Sequence, residues 1–286
     1  MFNKIRIILL LLLSLPCISY AQEPFSIFTG TGQKVQFNQV IEASKGKSHI
    51  FFGELHNNAV AHWLQLELTK ALFERDSSRL VIGAEMFETD NQLLVDEYLT
   101  GLISQKSFEE EARLWKNYKT DYKPILEFAR KHGIRFVATN VPRRYANAVF
   151  HSGLDVLSRL PPQATRFFTP LPFTIDSTQN SYRELLKMSD DHQGNYMLEA
   201  QALKDATMAH FIEKYSTNES VFLHLNGSYH SDRYEGIVNF LKQIVSVDKM
   251  LVITTVTQAG TTYLNEKNRF LADYIICVDE DFTLTH

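Results

Sequence analysis

The chain has 286 residues, with 29 Lys and Arg against 33 Asp and Glu, and its formal net charge is −4. This near balance, without a stripe of basic residues, argues against nucleic acid as a partner. The length is sufficient for one large α/β domain, and no later segment approaches the roughly 20 apolar residues of a membrane span.

The first 21 residues have the pattern of a secretory signal peptide. Lys4 and Arg6 precede a short apolar run, and Ser19-Tyr20-Ala21 fits the small-x-small rule for cleavage before Gln22. We therefore predict an exported protein of the periplasm or cell envelope. Its mature part is a single α/β domain, residues 22–286.

Cys17 raises the alternative of a lipoprotein signal with a lipid anchor. Pro16 stands where such a signal requires Gly, Ala or Ser, so cleavage by the ordinary signal peptidase is the preferred interpretation. After cleavage Cys277 is the only cysteine, which excludes an intramolecular disulfide. Its apolar surroundings predict a buried strand residue.

Six short apolar runs predict strands that are covered on both faces, because they are rich in Val, Ile and Phe and do not alternate with polar residues. Helical periodicity between most of them predicts a mostly parallel sheet with right-handed crossovers. A hairpin-like stretch, residues 25–38, precedes this core. The six predicted strands are His49–Gly53, Leu80–Glu85, Ile134–Thr139, Val221–Leu225, Leu251–Val256 and Tyr274–Val278.

The predicted helices flank this sheet. They span Ala61–Arg75, Asn91–Leu102 and Lys123–His132, and Gly133 provides a stop signal for the third. Residues 142–215 lack a convincing strand, contain two proline-rich stretches and end in a predicted helix near Tyr196–Tyr215. We predict a mostly parallel central sheet flanked by helices, with residues 142–215 forming a helical insertion or cap between strands three and four.

Polar residues follow the apolar runs at four predicted strand ends. The first strand leads to Glu54 and His56, the second to Glu85, the third to Asn140 and the fourth to His230. Ligands of open parallel sheets bind outside the carboxyl ends of the strands. The sequence therefore predicts a polar site at this edge.

Each of these residues also has a purely structural explanation. Glu54 suits the amino terminus of the following helix, Asn140 suits a turn, and His56 and His230 suit a helix start and the surface. Glu85 is harder to explain in this way, because a carboxylate closing an apolar strand needs a partner or water. Their joint occurrence favours function.

Two kinds of chemistry fit this set. The two carboxylates and two histidines are suited to a divalent metal with an open position, or to metal-free acid–base catalysis. No HExxH spacing is present. Asp205 either points at the site or faces solvent. His62 either flanks the site or faces solvent, and for His62 we expect the latter.

Six motifs, in the same order along the chain, resemble the ChaN-like family, which is related to the wider Tiki and erythromycin-esterase-like superfamily. The resemblance covers almost the whole mature chain and is weakest over Pro142–Tyr196. The motifs are GELHNNAVAHWLQLEL (53–68), AEMFETDNQ (84–92), TDYKPILEFARKHG (120–133), ATNVPRR (138–144), AQALKDATMA (200–209) and NGSYHSDRYEGI (226–237).

At the level of the superfamily, the resemblance implies a polar, metal-binding or catalytic site. That site would use Glu54, His56, Glu85 and His230. The runner-up function is therefore a metal-dependent or His/Glu hydrolase of an ester or peptide bond. A degenerate relative that only binds partners is the third reading.

At the level of the nearer family, the resemblance implies haem binding in haem or iron uptake, across a homodimer and together with an outer-membrane receptor system. A tyrosine would ligate ferric haem, since a phenolate suits Fe(III). The candidates are Tyr122, Tyr229 and Tyr182. Arg143, with Asn140 nearby, would contact the haem, and Arg143 or the neighbouring Arg144 would meet the propionates.

Overall fold

One eight-stranded sheet forms the centre of the protein. The computed structural model describes residues 23–188 and 196–286, so the predicted signal peptide and the alternative lipid anchor at Cys17 lie outside the described residues. The strands are β1 (Phe25–Thr29), β2 (Lys34–Val35), β3 (His49–Glu54), β4 (Leu80–Glu88), β5 (Arg135–Asn140), β6 (Val221–Gly227), β7 (Met250–Gln258) and β8 (Tyr274–Asp279).

The sheet is parallel except at one edge. Its strand order is β2-β1-β8-β7-β3-β6-β4-β5. All pairs from β8 to β5 are parallel, and β1 pairs antiparallel with both β8 and β2. The predicted mostly parallel α/β fold is confirmed, and the hairpin-like opening stretch is the antiparallel pair β1–β2.

All six predicted strands are present, with small shifts at their ends. β4 continues to Glu88 and β7 to Gln258, past the predicted limits, and β5 begins at Arg135. Every residue of β3 and β4 is buried, because helices cover both faces of the sheet. One apolar cluster fills the face that α-helices from the first half of the chain cover, and a second fills the opposite face.

Nine α-helices lie within the described residues. They are α1 (Phe37–Ala43), α2 (Ala59–Asp76), α3 (Gln92–Leu99), α4 (Gln105–Glu111), α5 (Lys123–His132), α6 (Arg143–Ser152), α7 (Asn180–Met188), α8 (Met197–Tyr215) and α9 (Ile237–Leu241). None of the helices in this part of the chain is long and apolar enough to cross a membrane.

Two helix ends show why the sequence folds as it does. The Asn58 side chain accepts a hydrogen bond from the Ala61 backbone N–H at 3.0 Å, so α2 begins two residues before the predicted start. Gly133 ends α5 at a φ of 65°, a left-handed conformation that glycine adopts without strain, as the stop signal predicts.

The segment between β5 and β6 is helical, as predicted. It contains α6, α7 and α8, with two 3₁₀ turns, Leu154–Arg159 and Pro162–Phe167, and its described residues include no strand. A third apolar cluster holds this insertion together, and α8 packs back against β5. The insertion therefore covers the carboxyl edge of one half of the sheet.

Candidate functional site

The predicted polar residues come together at the carboxyl edge of the central strands. Parallel strands end at the same edge, and β3, β4, β5 and β6 supply the side chains. A cleft of about 460 Å³ opens there. His56, Glu85, Asn140 and His230 line it, and Glu54 lies buried beneath His56.

Glu54 is the centre of a first hydrogen-bonded network. Its Oε1 accepts from Tyr122 Oη at 2.7 Å and lies 2.9 Å from His56 Nδ1. Its Oε2 accepts from Gln65 Nε2 at 2.6 Å. A fully buried carboxylate needs such partners, and here they also fix the orientation of the His56 ring. The His56 side chain remains 41% exposed, so the ring is accessible from the cleft.

His62 supports this network from below, which corrects the expectation that it faces solvent. The ring is buried, with Nδ1 at 3.5 Å from Glu54 Oε2 and Nε2 at 3.4 Å from Asp121 Oδ2. Asn117 Nδ2 donates to Asp121 Oδ2 at 2.7 Å and to the His56 carbonyl at 2.9 Å. The loop that carries His56 is thus tied to the buried polar groups beneath it.

The carboxyl-terminal residues close the same network. Thr285 Oγ1 donates to Asp121 Oδ2 at 2.9 Å, and the Thr285 backbone N–H donates to the Asn57 carbonyl at 2.9 Å. Leu284 forms an isolated antiparallel bridge with Asn58. The end of the chain therefore lies against the His56 loop.

His230 is the centre of a second network. Its Nε2 lies 3.2 Å from Glu85 Oε1, and its Nδ1 is hydrogen-bonded to Asp205 Oδ1. Asp205 is fully buried and accepts a further bond from Tyr182 Oη at 2.8 Å. Of the two alternatives for Asp205, the structure shows the one in which it points at the site.

The charges of the second network stabilise one another. Burial lowers the pKa of His230, but the charges and hydrogen bonds of Glu85 and Asp205 outweigh it and raise the pKa to about 10. Burial likewise raises the pKa of Glu85, and His230, His56 and the Gly227 N–H together bring it well below its usual range. At neutral pH the pair is a buried imidazolium and carboxylate.

The two networks meet at Gly227. Its backbone N–H donates to Glu85 Oε2 at 2.7 Å. A Cβ at this position would lie 2.9 Å from His56 Cε1 and 3.5 Å from Glu85 Oε2. Glycine therefore permits the close approach of the imidazole to the strand end. Burial lowers the pKa of His56, whereas the Glu54 hydrogen bond and the Glu85 charge raise it, with a net increase.

The walls of the cleft come from Trp115, from the end of β5 and from residues of the insertion. Trp115 packs edge-on against His56, with ring centroids 4.8 Å apart. Asn140 is 9% exposed, and its Oδ1 has no hydrogen-bond partner among the described residues. The remaining residues around the cleft are Glu88, Val141, Arg143, Ala146, Asn147, Phe150, Ala200 and Lys204.

The three candidate tyrosines occupy different environments. Tyr122 and Tyr182 are buried, and each donates its hydroxyl to a carboxylate. Burial, followed by the neighbouring carboxylates, raises the pKa of both well above the usual range. Tyr229 is 53% exposed and borders a separate pocket of about 270 Å³ with Leu185 and Gln201.

The predicted metal ligands lie in two hydrogen-bonded pairs. Glu54 is paired with His56, and Glu85 with His230. Within residues 23–188 and 196–286, no group of three or more His, Cys, Asp or Glu side chains has the arrangement of a metal site. The predicted metal set stays a prediction.

Sequence patterns identified the residues at the strand ends but missed those beneath them. Gln65 and Asp121 did not stand out, because a buried glutamine on α2 and an aspartate before α5 have no distinctive spacing. The burial of Gln65 could have been predicted from its position, because it lies three residues after His62 and one after Leu64 on the buried face of α2.

Comparison with known proteins identifies the family. Residues 40–241 match the family described as haem-binding uptake, Tiki superfamily, ChaN. No curated protein matches the chain. The fold resembles ChaN of Campylobacter jejuni, described for cofacial haem binding, with 19% identity and a TM-score of 0.66 over 88% of this chain and 96% of that one.

Two further structures share the fold. An erythromycin esterase mutant in its open conformation is 13% identical with a TM-score of 0.53, over 88% of this chain and 97% of that one. A Bacillus cereus protein is 10% identical with a TM-score of 0.52, over 86% and 92%. These identities show fold alone, but the family match spans well over half of the sequence. The chain belongs to the ChaN family of haem-binding uptake proteins in the Tiki superfamily.

Proposed function

We propose that this protein is exported and binds haem in haem or iron uptake. The observation that carries the proposal is Tyr229, a half-exposed tyrosine inside a chain of the haem-binding family. It lies in the 3₁₀ turn Ser228–His230 that follows β6, and it lines the same pocket as Leu185. The signal-peptide pattern of the first 21 residues supports export.

Tyr229 fits ferric haem better than the other two candidates do. A ligand to Fe(III) must present an accessible phenolate. Tyr122 and Tyr182 are buried with their hydroxyl groups donated to carboxylates, and their raised pKa opposes ionisation. Tyr229 is instead 53% exposed, and its hydroxyl has no carboxylate partner among the described residues. Bound haem would supply the iron and a flat apolar surface, and this chain would supply the phenolate and the Leu185 side of the pocket.

Arg143 and Asn140 border the cleft rather than the pocket of Tyr229. We therefore assign them to the cleft and not to haem. An exposed haem on Tyr229 needs a cover, and we propose a second copy of this chain, as the description of cofacial haem binding in the Campylobacter jejuni relative suggests. An outer-membrane receptor system would deliver the haem.

The test is a haemin titration of residues 22–286, followed by absorbance. We expect saturable binding at about one haem per chain with a tyrosinate-type spectrum. Tyr229→Phe should weaken binding at least tenfold and abolish that spectrum. Tyr263→Phe is the matched control, since Tyr263 is 65% exposed on another loop. Absence of saturable binding, or equal behaviour of the two variants, contradicts the proposal.

A hydrolase is the second candidate, because one observation favours it. His56 is oriented by Glu54, accessible from the cleft and close to the buried His230 imidazolium. An oriented imidazole beside a fixed positive charge can activate water and stabilise an oxyanion. Ester or peptide turnover that His56→Gln abolishes and His132→Gln, a change of a half-buried histidine outside the cleft, retains would support this candidate. Metal analysis of the same sample decides whether turnover needs a metal.

A further inference from the structure

An unpaired amide lies inside the cleft. Asn140 is the last residue of β5 and is 9% exposed, and its Oδ1 has no partner among the described residues. A buried acceptor without a donor is costly, and native proteins keep few of them. Oδ1 itself is shielded from solvent, but Asn140 borders the cleft, and rotation of its amide group would present Oδ1 to a ligand with an N–H or O–H group.

A cation on the insertion is also without a partner. Lys204 of α8 borders the same cleft, is partly buried, and forms no ion pair or hydrogen bond with the described residues. Arg143 has only a distant contact, with its Nε 3.9 Å from Glu88 Oε1, and its side chain is 74% exposed. These two cations are available to an anion that enters the cleft.

The acidic residues of the cleft do not cancel these cations. Glu85 is held by the His230 imidazolium and the Gly227 N–H. Glu88 accepts from Arg113 Nε at 2.9 Å. Each carboxylate already has a positive partner, so an incoming anion meets Lys204 and Arg143 without an equal opposing charge.

Part of the cleft wall is apolar. Val141, Ala146, Phe150 and Ala200 line it, and the Trp115 ring stands beside His56. Small-ligand sites commonly combine apolar walls with a few polar groups that fix orientation. The volume of about 460 Å³ admits a compound with several non-hydrogen atoms.

We propose that the cleft binds a small carboxylic acid with an apolar side chain and an adjacent amide N–H, the chemistry of an N-acylated amino acid. The carboxylate contacts Lys204 and Arg143, the N–H donates to Asn140 Oδ1, and the side chain packs against the apolar wall. This binding does not depend on haem at Tyr229. If the protein is the hydrolase proposed as the second candidate, an N-acylated amino acid is the class of compound on which it would act.

Binding of three related probes, measured by calorimetry on residues 22–286, tests this inference. N-acetyl-L-leucine has both features, N-acetyl-L-leucinamide lacks the charge, and 4-methylpentanoate lacks the N–H. We expect N-acetyl-L-leucine to bind roughly tenfold more tightly than the leucinamide and about fivefold more tightly than 4-methylpentanoate. Equal affinities, or no saturable binding of N-acetyl-L-leucine, overturn the proposal.

Two variants assign these preferences to residues. Lys204→Gln should remove the preference for acid over amide, whereas Lys242→Gln, an exposed control outside the cleft, should retain it. Asn140→Leu should remove the preference for the N–H. Where Asn140→Leu fails to fold, the Lys204 comparison decides alone, and an unchanged preference there refutes the proposal. Because binding and not turnover is measured, failure of the hydrolase candidate is a separate result.

Discussion

Removing the charge of Asp205 tests how the protein holds a buried imidazolium. Burial lowers the pKa of His230, but Glu85 and Asp205 raise it from 6.5 to about 10. That difference corresponds to about 5 kcal/mol at about 1.4 kcal/mol per pH unit. The lowered pKa of Glu85 reflects the same attraction between His230 and Glu85, so its free energy is not counted a second time. If the two carboxylates contribute equally, Asp205→Asn lowers the unfolding free energy by roughly 2 kcal/mol at neutral pH.

The sign of the pH dependence follows from the raised pKa. His230 is protonated in the folded protein when it is already neutral in the unfolded chain, so its stabilisation is complete below pH 6.5 and is lost as the pH rises through about 10. Asp205→Asn lowers the pKa of His230 in the folded protein, and therefore lowers the pH at which this stabilisation is lost. The difference in stability between wild type and variant is therefore at its full size at and just below neutral pH and shrinks towards pH 10.

Urea unfolding from about pH 6 to about pH 11, followed by circular dichroism, measures this difference. Asp155→Asn is the matched control, because it removes the same charge. Asp155 is an exposed residue of the insertion and has no described contact with a histidine. Histidine NMR signals report the pKa directly. Wild-type and Asp205→Asn curves that stay parallel over the whole range would refute the reasoning.

Three further predictions concern neighbouring positions. Tyr122→Phe removes the hydroxyl bonded to Glu54 and should cost about 1–3 kcal/mol in urea unfolding at neutral pH; no change would show that the bond is dispensable. Burial lowers the pKa of His224 to about 4, so stability falls as the pH drops from 6.5 towards 4, and His224→Gln should reduce that slope by about 1.4 kcal/mol per pH unit. Gly227→Ala should displace the His56 ring, which NMR detects as a shifted His56 signal, with less than about 1 kcal/mol lost; an unshifted signal contradicts the close approach.

The sheet was predictable because its strands are buried on both faces. Continuous Val, Ile and Phe runs are the signature of such strands, and each end was placed within a few residues. The polar residues at the strand ends were predictable for the same reason, since Glu54 and Glu85 interrupt apolar runs. The end of β4 was not predictable, because the strand continues to Glu88 after a register shift against β5.

The partners beneath the strand ends were not predictable from local pattern. His62 lies on a helix whose polar and apolar residues are mixed, and its burial depends on the Glu54 and Asp121 carboxylates that tertiary packing brings near. The pairing of Asp205 with His230 requires the insertion to fold back over the sheet. Such contacts join segments that are far apart in the chain, and the periodicity of a single sequence indicates only local structure.

The contacts of Leu284 and Thr285 have a practical consequence for protein engineering. A purification tag or reporter placed next to Leu284 and Thr285 would disturb the contacts that these residues make with Asn58 and Asp121. A fusion partner at that position is therefore expected to disturb ligand measurements before it disturbs folding. A removable tag placed ahead of residue 22 avoids this risk, because it leaves Leu284 and Thr285 against the His56 loop.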